Sequence, residues 1–285
     1  MRGADVMAHA QSADGHSTLA GGDFEGALLG LIGEWLGPGQ TLVLAAGMVG
    51  ARQGWSEAPY RPVPCAPVAA GALMAVPTRD PRLAVRIVPG LSQDAPADVM
   101  RGEEVQIAGY LAGQGSQTAT LCLPGTHSKW VQLANGSVIR FDTAMTGELY
   151  ALLSGQSVLR HAMAGSAWDD ATFATAVTEA LKRPAVLDEL FAIRAQSLLQ
   201  GLSPGAARAR LSGLLIGAEI AMRRVRMDAL QEVAVIGEGR IVALYTEALR
   251  IAGLRPHACD GAALVRAGLA VLHRQPAEQT GEMDR

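Results

Sequence analysis

The chain has 285 residues, 49% of them hydrophobic, and a formal charge of −3. That length allows one large domain or two lobes with an ample core, and a slightly acidic balance with no basic run argues against a nucleic-acid partner. The longest apolar runs, near residues 41–51 and 211–222, are too short to cross a bilayer, and the opening MRGADVMAHAQSADG lacks the apolar core of a secretory signal. The three cysteines, Cys65, Cys122 and Cys259, are far apart and odd in number. They suggest neither a zinc spacing nor a disulfide frame, so a reducing, cytoplasmic setting is expected.

Residues 1–20 are small, polar and aperiodic, and are expected to be poorly ordered. Over 23–35 the spacing predicts an amphipathic helix with Phe24, Leu28, Leu31, Ile32 and Trp35 on one face, Asp23 and Glu25 at its positive end, and Gly37-Pro38 as its stop. A short apolar strand over 41–46 leads into the loop Gly47-Met48-Val49-Gly50-Ala51-Arg52-Gln53-Gly54-Trp55, after which the proline-rich 58–67 crosses the surface. A second strand, 83–88, ends at Pro89-Gly90, and 98–104 opens a helix running to about Leu111. The polar, glycine-rich 113–118 is the expected lobe boundary.

Residues 121–141, LCLPGTHSKWVQLANGSVIRF, are the most informative stretch. A strand enters a Pro-Gly corner, and Asn135-Gly136 then joins two further strands, a turn in which both central residues need positive φ. Beyond it a helix starts at Thr146, and helices follow over 173–181, 185–199, 204–226, 241–254 and 262–273, interrupted by one strand, 232–236. The tail from Gln275 is polar and expected to fray. The pattern is α/β, with ligands at the carboxyl ends of the strands.

Four loops carry candidate chemistry. In GMVGARQGW, glycines let backbone approach a small ligand and Arg52 could clamp a carboxylate, although an ordinary turn with a surface arginine fits equally. In VMRGEE, Glu103 and Glu104 are either a general base or simple complements to a helix dipole, and Arg101 beside them could fix an anion. Thr126-His127-Ser128-Lys129 presents N–H groups, hydroxyls, an imidazole and an ammonium, a set suited to a phosphate chain. Lysine occurs only at 129 and 182, against 22 arginines, so Lys129 is either a chosen point charge or a surface strand residue. Gly237-Glu238-Gly239 is a strand-to-helix turn that binds nucleotides in some proteins and is a plain connector in many more. Because His127 and Ser128 are adjacent on a strand, their side chains diverge, which sets aside a Ser–His hydrolase.

Taken together, GMVGARQGWSEAPY, IVPGL, VMRGEEVQIAG, LPGTHSKWVQL, MTGELYALL and LSGLLIGAEI resemble, in order, the 2-dehydro-3-deoxygalactonokinases. The resemblance spans roughly residues 24–275. It implies two ribonuclease-H-like lobes of the actin-like ATPase superfamily with an interlobe cleft, divided here as 21–116 on the sugar-acid side and 117–274 on the nucleotide side, with 1–20 and 275–285 outside them. It implies ATP-dependent phosphorylation of the 6-hydroxyl of 2-dehydro-3-deoxygalactonate with Mg2+, in galactonate breakdown. Gly125, Thr126, Ser128 and Lys129 then fall in the second phosphate loop, and Gly237 and Gly239 in the adenosine loop. Asp260-Gly261-Ala262-Ala263 matches the family's closing segment. Gly47, Met48, Gly50, Arg52, Trp55 and Arg101 face the sugar acid. Glu103 is the first choice for the base, with Glu104 and Asp98 as alternatives, and the metal ligands are unassigned. The family's N-terminal strand and Asp-Trp-Gly-Thr-type turn have no match in residues 1–22, so a first lobe lacking that hairpin is expected. Alternatives are a kinase for another 2-keto-3-deoxy acid or a truncated, non-catalytic remnant. Small-molecule partners are expected, without nucleic acid or membrane, and a homo-oligomer is left open.

Overall fold

The structure is a computed structural model that describes residues 5–15, 18–19, 22–114, 117–225, 227–228 and 231–274. The expected frayed tail, 275–285, lies outside the described residues, as do 1–4, 16–17 and 20–21 of the N-terminal stretch. Two compact units emerge: residues 1–118, 133–141 and 261–285 form one, and 119–132 with 142–260 form the other.

The first unit opens with α1 (Phe24–Ile32), capped by the Asp23 carboxylate accepting from the Gly26 N–H at 3.0 Å. Glu25 does more than complement the dipole: it is buried and accepts the N–H groups of Arg79 and Asp80 at 2.9 and 2.8 Å. The expected apolar face stops short of Trp35, which is 50% exposed because Gly33–Trp35 winds as a tighter 3-10 turn and breaks the 3.6-residue register. β1 (Thr41–Ala45), β3 (Met74–Val76) and β4 (Leu83–Ile87) make a three-stranded sheet in the order β1-β4-β3, with β1 parallel and β3 antiparallel to β4. Val85, Ile87, Leu83 and Val76 pack there against Leu28, Leu29 and Ile32 of α1.

A second small sheet was not anticipated. Residues 58–67 are not merely a surface crossing: they contain β2 (Tyr60–Pro62), parallel to β5 (Gly90–Asp94). The segment expected to open a helix at Asp98 is instead the strand β6 (Ala97–Met100), antiparallel to β5. Neither GLSQD nor ADVM alternates apolar with polar, and β2 carries a proline, so periodicity gave no signal. Gly90 is obligatory, since a Cβ there would sit 2.5 Å from the Met100 carbonyl oxygen. The helix begins only at Glu103, as α2 (Glu103–Gln114).

In the second unit, β7 (Ala119–Leu123), β8 (Ser128–Ala134), β9 (Ser137–Ala144), β10 (Glu232–Gly237) and β11 (Arg255–Asp260) form one sheet in the order β11-β10-β7-β8-β9. β10 runs parallel to both β7 and β11. The expectation of a single late strand is corrected: RPHACD pairs fully with β10 although it lacks an apolar run, as an edge strand with one open face can. The β8–β9 turn has Asn135 at φ 50° and Gly136 at φ 74°, as that dipeptide requires. Residues 133–141 of this hairpin cluster with the first unit, where Val138 bridges Cys65 and both amide atoms of Gln93 bond the Phe141 backbone.

The helices of the second unit are α3 (Thr146–Gly155), α4 (Asp170–Lys182), α5 (Val186–Leu199), α6 (Pro204–Arg224) and α7 (Gly239–Ile251). α6 is buried along most of its 21 residues and meets α4 across Gly213 and Gly217, where a Cβ would come within 2.6 Å of the Phe173 oxygen and 2.9 Å of the Val177 oxygen. The last helix, α8 (Gly261–Arg274), returns to the first unit and packs on α2, with Gly109 against Leu264 and Gly268 against Val105. Among the described residues no helix is long and apolar enough to cross a membrane.

Candidate active site

In the first unit the loop after β1 meets the turn before α2. Gly47 has φ 83° and Gly102 φ 109°, and a Cβ on Gly102 would lie 3.3 Å from the Gly47 Cα. Arg101 sits between them and the second sheet. Its Nη2 donates to the Ala58 carbonyl at 2.7 Å, and its guanidinium lies 4.3 Å above the Tyr60 ring. Its Nη1 is so close to Gly50 that a Cβ there would approach to 2.9 Å. Nε and Nη1 are buried and have no hydrogen-bond partner among the described residues. Dry N–H groups on a guanidinium are a ready receptor for a carboxylate, because an unmade bond there costs more than a made one returns.

The neighbouring acids differ in surroundings. Glu103 accepts from the Arg101 N–H at 3.0 Å and is partly exposed. Glu104 is fully buried and accepts from the Gly102 N–H at 2.6 Å, while its Oε1 lacks a partner among the described residues. Burial pushes its carboxyl up to about 8. Asp98 accepts from the Val99 N–H on β6. Of the remaining expected contacts, Arg52 is exposed and faces Glu57 at 3.4 Å, and Met48 is half exposed. Trp55 stacks on Phe24 at 6.4 Å and joins the core under α1. Gly47, Gly50 and Arg101 therefore come together, while Trp55, partly buried, packs against Phe24.

In the second unit the parallel strands β7 and β10 bring two loops side by side. Gly237 ends β10 within 3.8 Å, at its would-be Cβ, of the Pro124 oxygen that follows β7. Gly147, in the first turn of α3, faces Gly125 so closely that a Cβ would meet the Gly125 oxygen at 2.2 Å. The Glu148 N–H donates to the Thr126 oxygen at 2.9 Å, and the His127 Nε2 lies 2.5 Å from the Glu148 carboxylate. Gly125, Thr126 and His127 are thus left at an accessible tip, with Gly239, at φ 65°, starting α7 nearby.

Ser128 and Lys129 are buried, which overturns the reading of Lys129 as a surface strand residue. The Lys129 Nζ donates to Thr143 Oγ1 at 2.7 Å on the adjoining strand. Ser128 Oγ is 2.7 Å from the Tyr245 hydroxyl, the first link of a buried network. At its centre is Glu219 of α6, which accepts from Trp130 Nε1 at 2.6 Å, from the Tyr245 hydroxyl at 2.7 Å and from the Thr146 hydroxyl. Burial raises its carboxyl above the ordinary range, against the pull of those three donors. Sequence reasoning missed this hub. The available signal was a lone acid inside the apolar run LSGLLIGAEIA, since a buried carboxylate must find partners.

Thr146 of this network also lines a cavity of about 300 Å3, together with Gly147, Trp168, Arg208, Arg240 and Leu244, among others. Arg240 lies 4.0 Å over the Trp168 ring, and Arg208 ties down the strap beneath it by donating to the Met163 and Ala164 oxygens. An aromatic wall, two arginines and the first turn of α3 suit a flat, anionic ligand.

Comparison with known proteins places the chain in a family. The profile of the 2-keto-3-deoxy-galactonokinase family matches residues 1–272. The chain is 41% identical over 276 residues to "Probable 2-dehydro-3-deoxygalactonokinase DgoK1" of Rhizobium meliloti (strain 1021), covering 94% of this chain and 90% of that protein. It is 34% identical over 232 residues to the 2-dehydro-3-deoxygalactonokinase of Escherichia coli (strain K12), covering 81% and 77%. A crystal structure of a Sinorhizobium meliloti protein provisionally described as a 2-dehydro-3-deoxygalactonokinase superposes with a TM-score of 0.89 at 40% identity, covering 95% of this chain and 91% of that one. The chain belongs to the 2-keto-3-deoxy-galactonokinase family.

Proposed function

We propose that this protein transfers the γ-phosphoryl group of ATP to the 6-hydroxyl of 2-dehydro-3-deoxy-D-galactonate. The observation that carries the reading is the corner of the second unit where Gly125, Gly147 and Gly237 converge beside the Trp168–Arg240 cavity. The base would lie in the cavity beside the Trp168–Arg240 pair, and the phosphates would run to the N–H groups of the Gly125–His127 tip and the first turn of α3. The two dry N–H groups of Arg101, between Gly47 and Gly50, take the carboxylate of the sugar acid. As the family resemblance implies, the units correspond to two ribonuclease-H-like lobes, one for the nucleotide and one for the acid.

Glu103 receives the proton of the attacking hydroxyl as its oxygen bonds to phosphorus and the bond to the β-phosphate oxygen breaks. It is preferred because Glu104 is enclosed and held by the Gly102 N–H, and Asp98 lies on β6. No group of three His, Cys, Asp or Glu side chains is gathered for a metal among the described residues. A Mg2+ that keeps water and phosphate oxygens as most of its ligands needs no such cage. The cysteines are free thiols, as suits the cytoplasm where ATP is available. Family membership over residues 1–272 does not favour a non-catalytic remnant.

The test is ADP release by the purified protein with ATP, Mg2+ and 2-dehydro-3-deoxygalactonate, with the product's phosphorus resonance locating the ester. A 6-phosphate is expected. Turnover with a different 2-keto-3-deoxy acid and none with this one would reassign the substrate, and turnover with neither would refute the kinase reading.

A further inference from the structure

Helix α5, VLDELFAIRAQSLL, is apolar on two adjacent faces rather than one. Val186, Leu190 and Ile193 turn inward and pack with Leu211, Leu214 and Leu215 of α6. Next to that face run Leu187, Phe191, Arg194 and Leu198, at steps of four, three and four, the spacing of a helix–helix seam. Leu187 is 85%, Phe191 67% and Leu198 64% exposed, and Leu199 adds a further 83% at the helix end. A surface helix of a self-sufficient unit buries its apolar stripe and shows polar residues outside. Four large side chains exposed to this degree present roughly 500 Å2, the upper range for the largest patch on a monomer. Val158, half exposed on the 3-10 turn packed beside α5, extends the patch toward the about 800 Å2 per partner of a stable dimer.

We propose that this face of α5 is the interface of a symmetric homodimer in which the two α5 helices pack antiparallel. Charge selects a second copy and this direction. The acids at the start of the helix are already matched within the chain, Asp188 by Arg183 at 2.8 Å and Glu189 by Arg210 at 3.4 Å. Arg194 is the one charge in the seam itself. Parallel pairing would set it against its own copy, whereas antiparallel pairing sets it on the ring of the partner subunit's Phe191, a cation–π contact made twice by symmetry. The same register places Leu187 on the partner subunit's Leu198.

Sedimentation velocity and light scattering at about 20 µM should give twice the 29.7 kDa chain mass. Phe191→Asp and Leu187→Asp should each yield monomer, at least a hundredfold weaker in association, with unchanged kinase turnover and a single cooperative melting transition as proof of folding, the melting temperature falling only because the dimer's stabilisation is lost. With Cys65 and Cys259 changed to Ser, oxidised Leu187→Cys/Leu198→Cys should form covalent dimers and Leu187→Cys alone should not. A monomeric wild type, dimers that persist in both aspartate variants, or cross-linking by Leu187→Cys alone would overturn the proposal.

Discussion

Glu219→Ala is the sharpest probe of the proposed phosphate corner. In the native chain one carboxylate oxygen serves Trp130 and the other serves Tyr245 and Thr146. Removing it leaves the Trp130 indole N–H, which can only donate, without a partner at an estimated cost of about 1–3 kcal/mol. Tyr245 can still turn to Ser128, 2.7 Å away, so its loss is smaller. The vacated volume in a site 6% exposed adds on the order of 2 kcal/mol. The total is about 3–5 kcal/mol, or roughly a 10 °C fall in melting temperature. Glu219→Gln should behave differently. Its oxygen can accept from Trp130 while its amide donates to Thr146 and Tyr245, whose hydroxyls accept as readily as they donate. It also mimics the protonated acid that burial favours, so its cost should stay within about 1 kcal/mol. Urea unfolding followed by tryptophan fluorescence reads the stability, and the KM for ATP reads the loop, because Ser128 and Thr146 both border the proposed phosphate-binding tip. A Gln variant as damaged as Ala would show that negative charge, rather than hydrogen-bond geometry, is what the site needs. An Ala variant that costs less than about 1 kcal/mol would refute the reasoning outright.

Three further outcomes follow from the same geometry. Gly147→Ala drives a Cβ to 2.2 Å from the Gly125 oxygen, so kcat/KM for ATP should fall at least about tenfold while the KM for the sugar acid holds; unchanged ATP kinetics would remove Gly147 from the site. Arg101→Gln should raise the KM for the acid about 10–100-fold through loss of a charge-assisted pair, with the KM for ATP steady; equal rises in both would indicate a purely structural role. Glu104 has a native pKa raised to about 8 by burial, so the folded state binds more protons than the unfolded state between about pH 4.5 and 8. Stability should therefore fall as pH rises through that window. Glu104→Gln should flatten the fall, and an identical pH slope in both proteins would assign it elsewhere.

The sequence by itself determined most helices, the strands β1, β4, β7 and β10 and the Asn135-Gly136 hairpin, because each rests on local periodicity or on a φ requirement that few residues meet. It also marked the glycines of the four candidate loops, since a glycine at a strand end is a local backbone statement. Tertiary structure alone decided which of those residues meet. β5, β6 and β11 exist through pairing partners rather than through any pattern of their own. That Trp55 stacks on Phe24, thirty-one positions earlier in the chain, is likewise visible only in the folded chain. Glu219, Trp130, Thr146 and Tyr245 have no sequence relation, and only burial, which forces a carboxylate to find donors, made them one network. The same holds for Arg101: its place in VMRGEE was visible, but its two N–H groups without a partner among the described residues, on which its proposed use for an anion rests, arise only once Ala58, Tyr60 and Gly50 close around it.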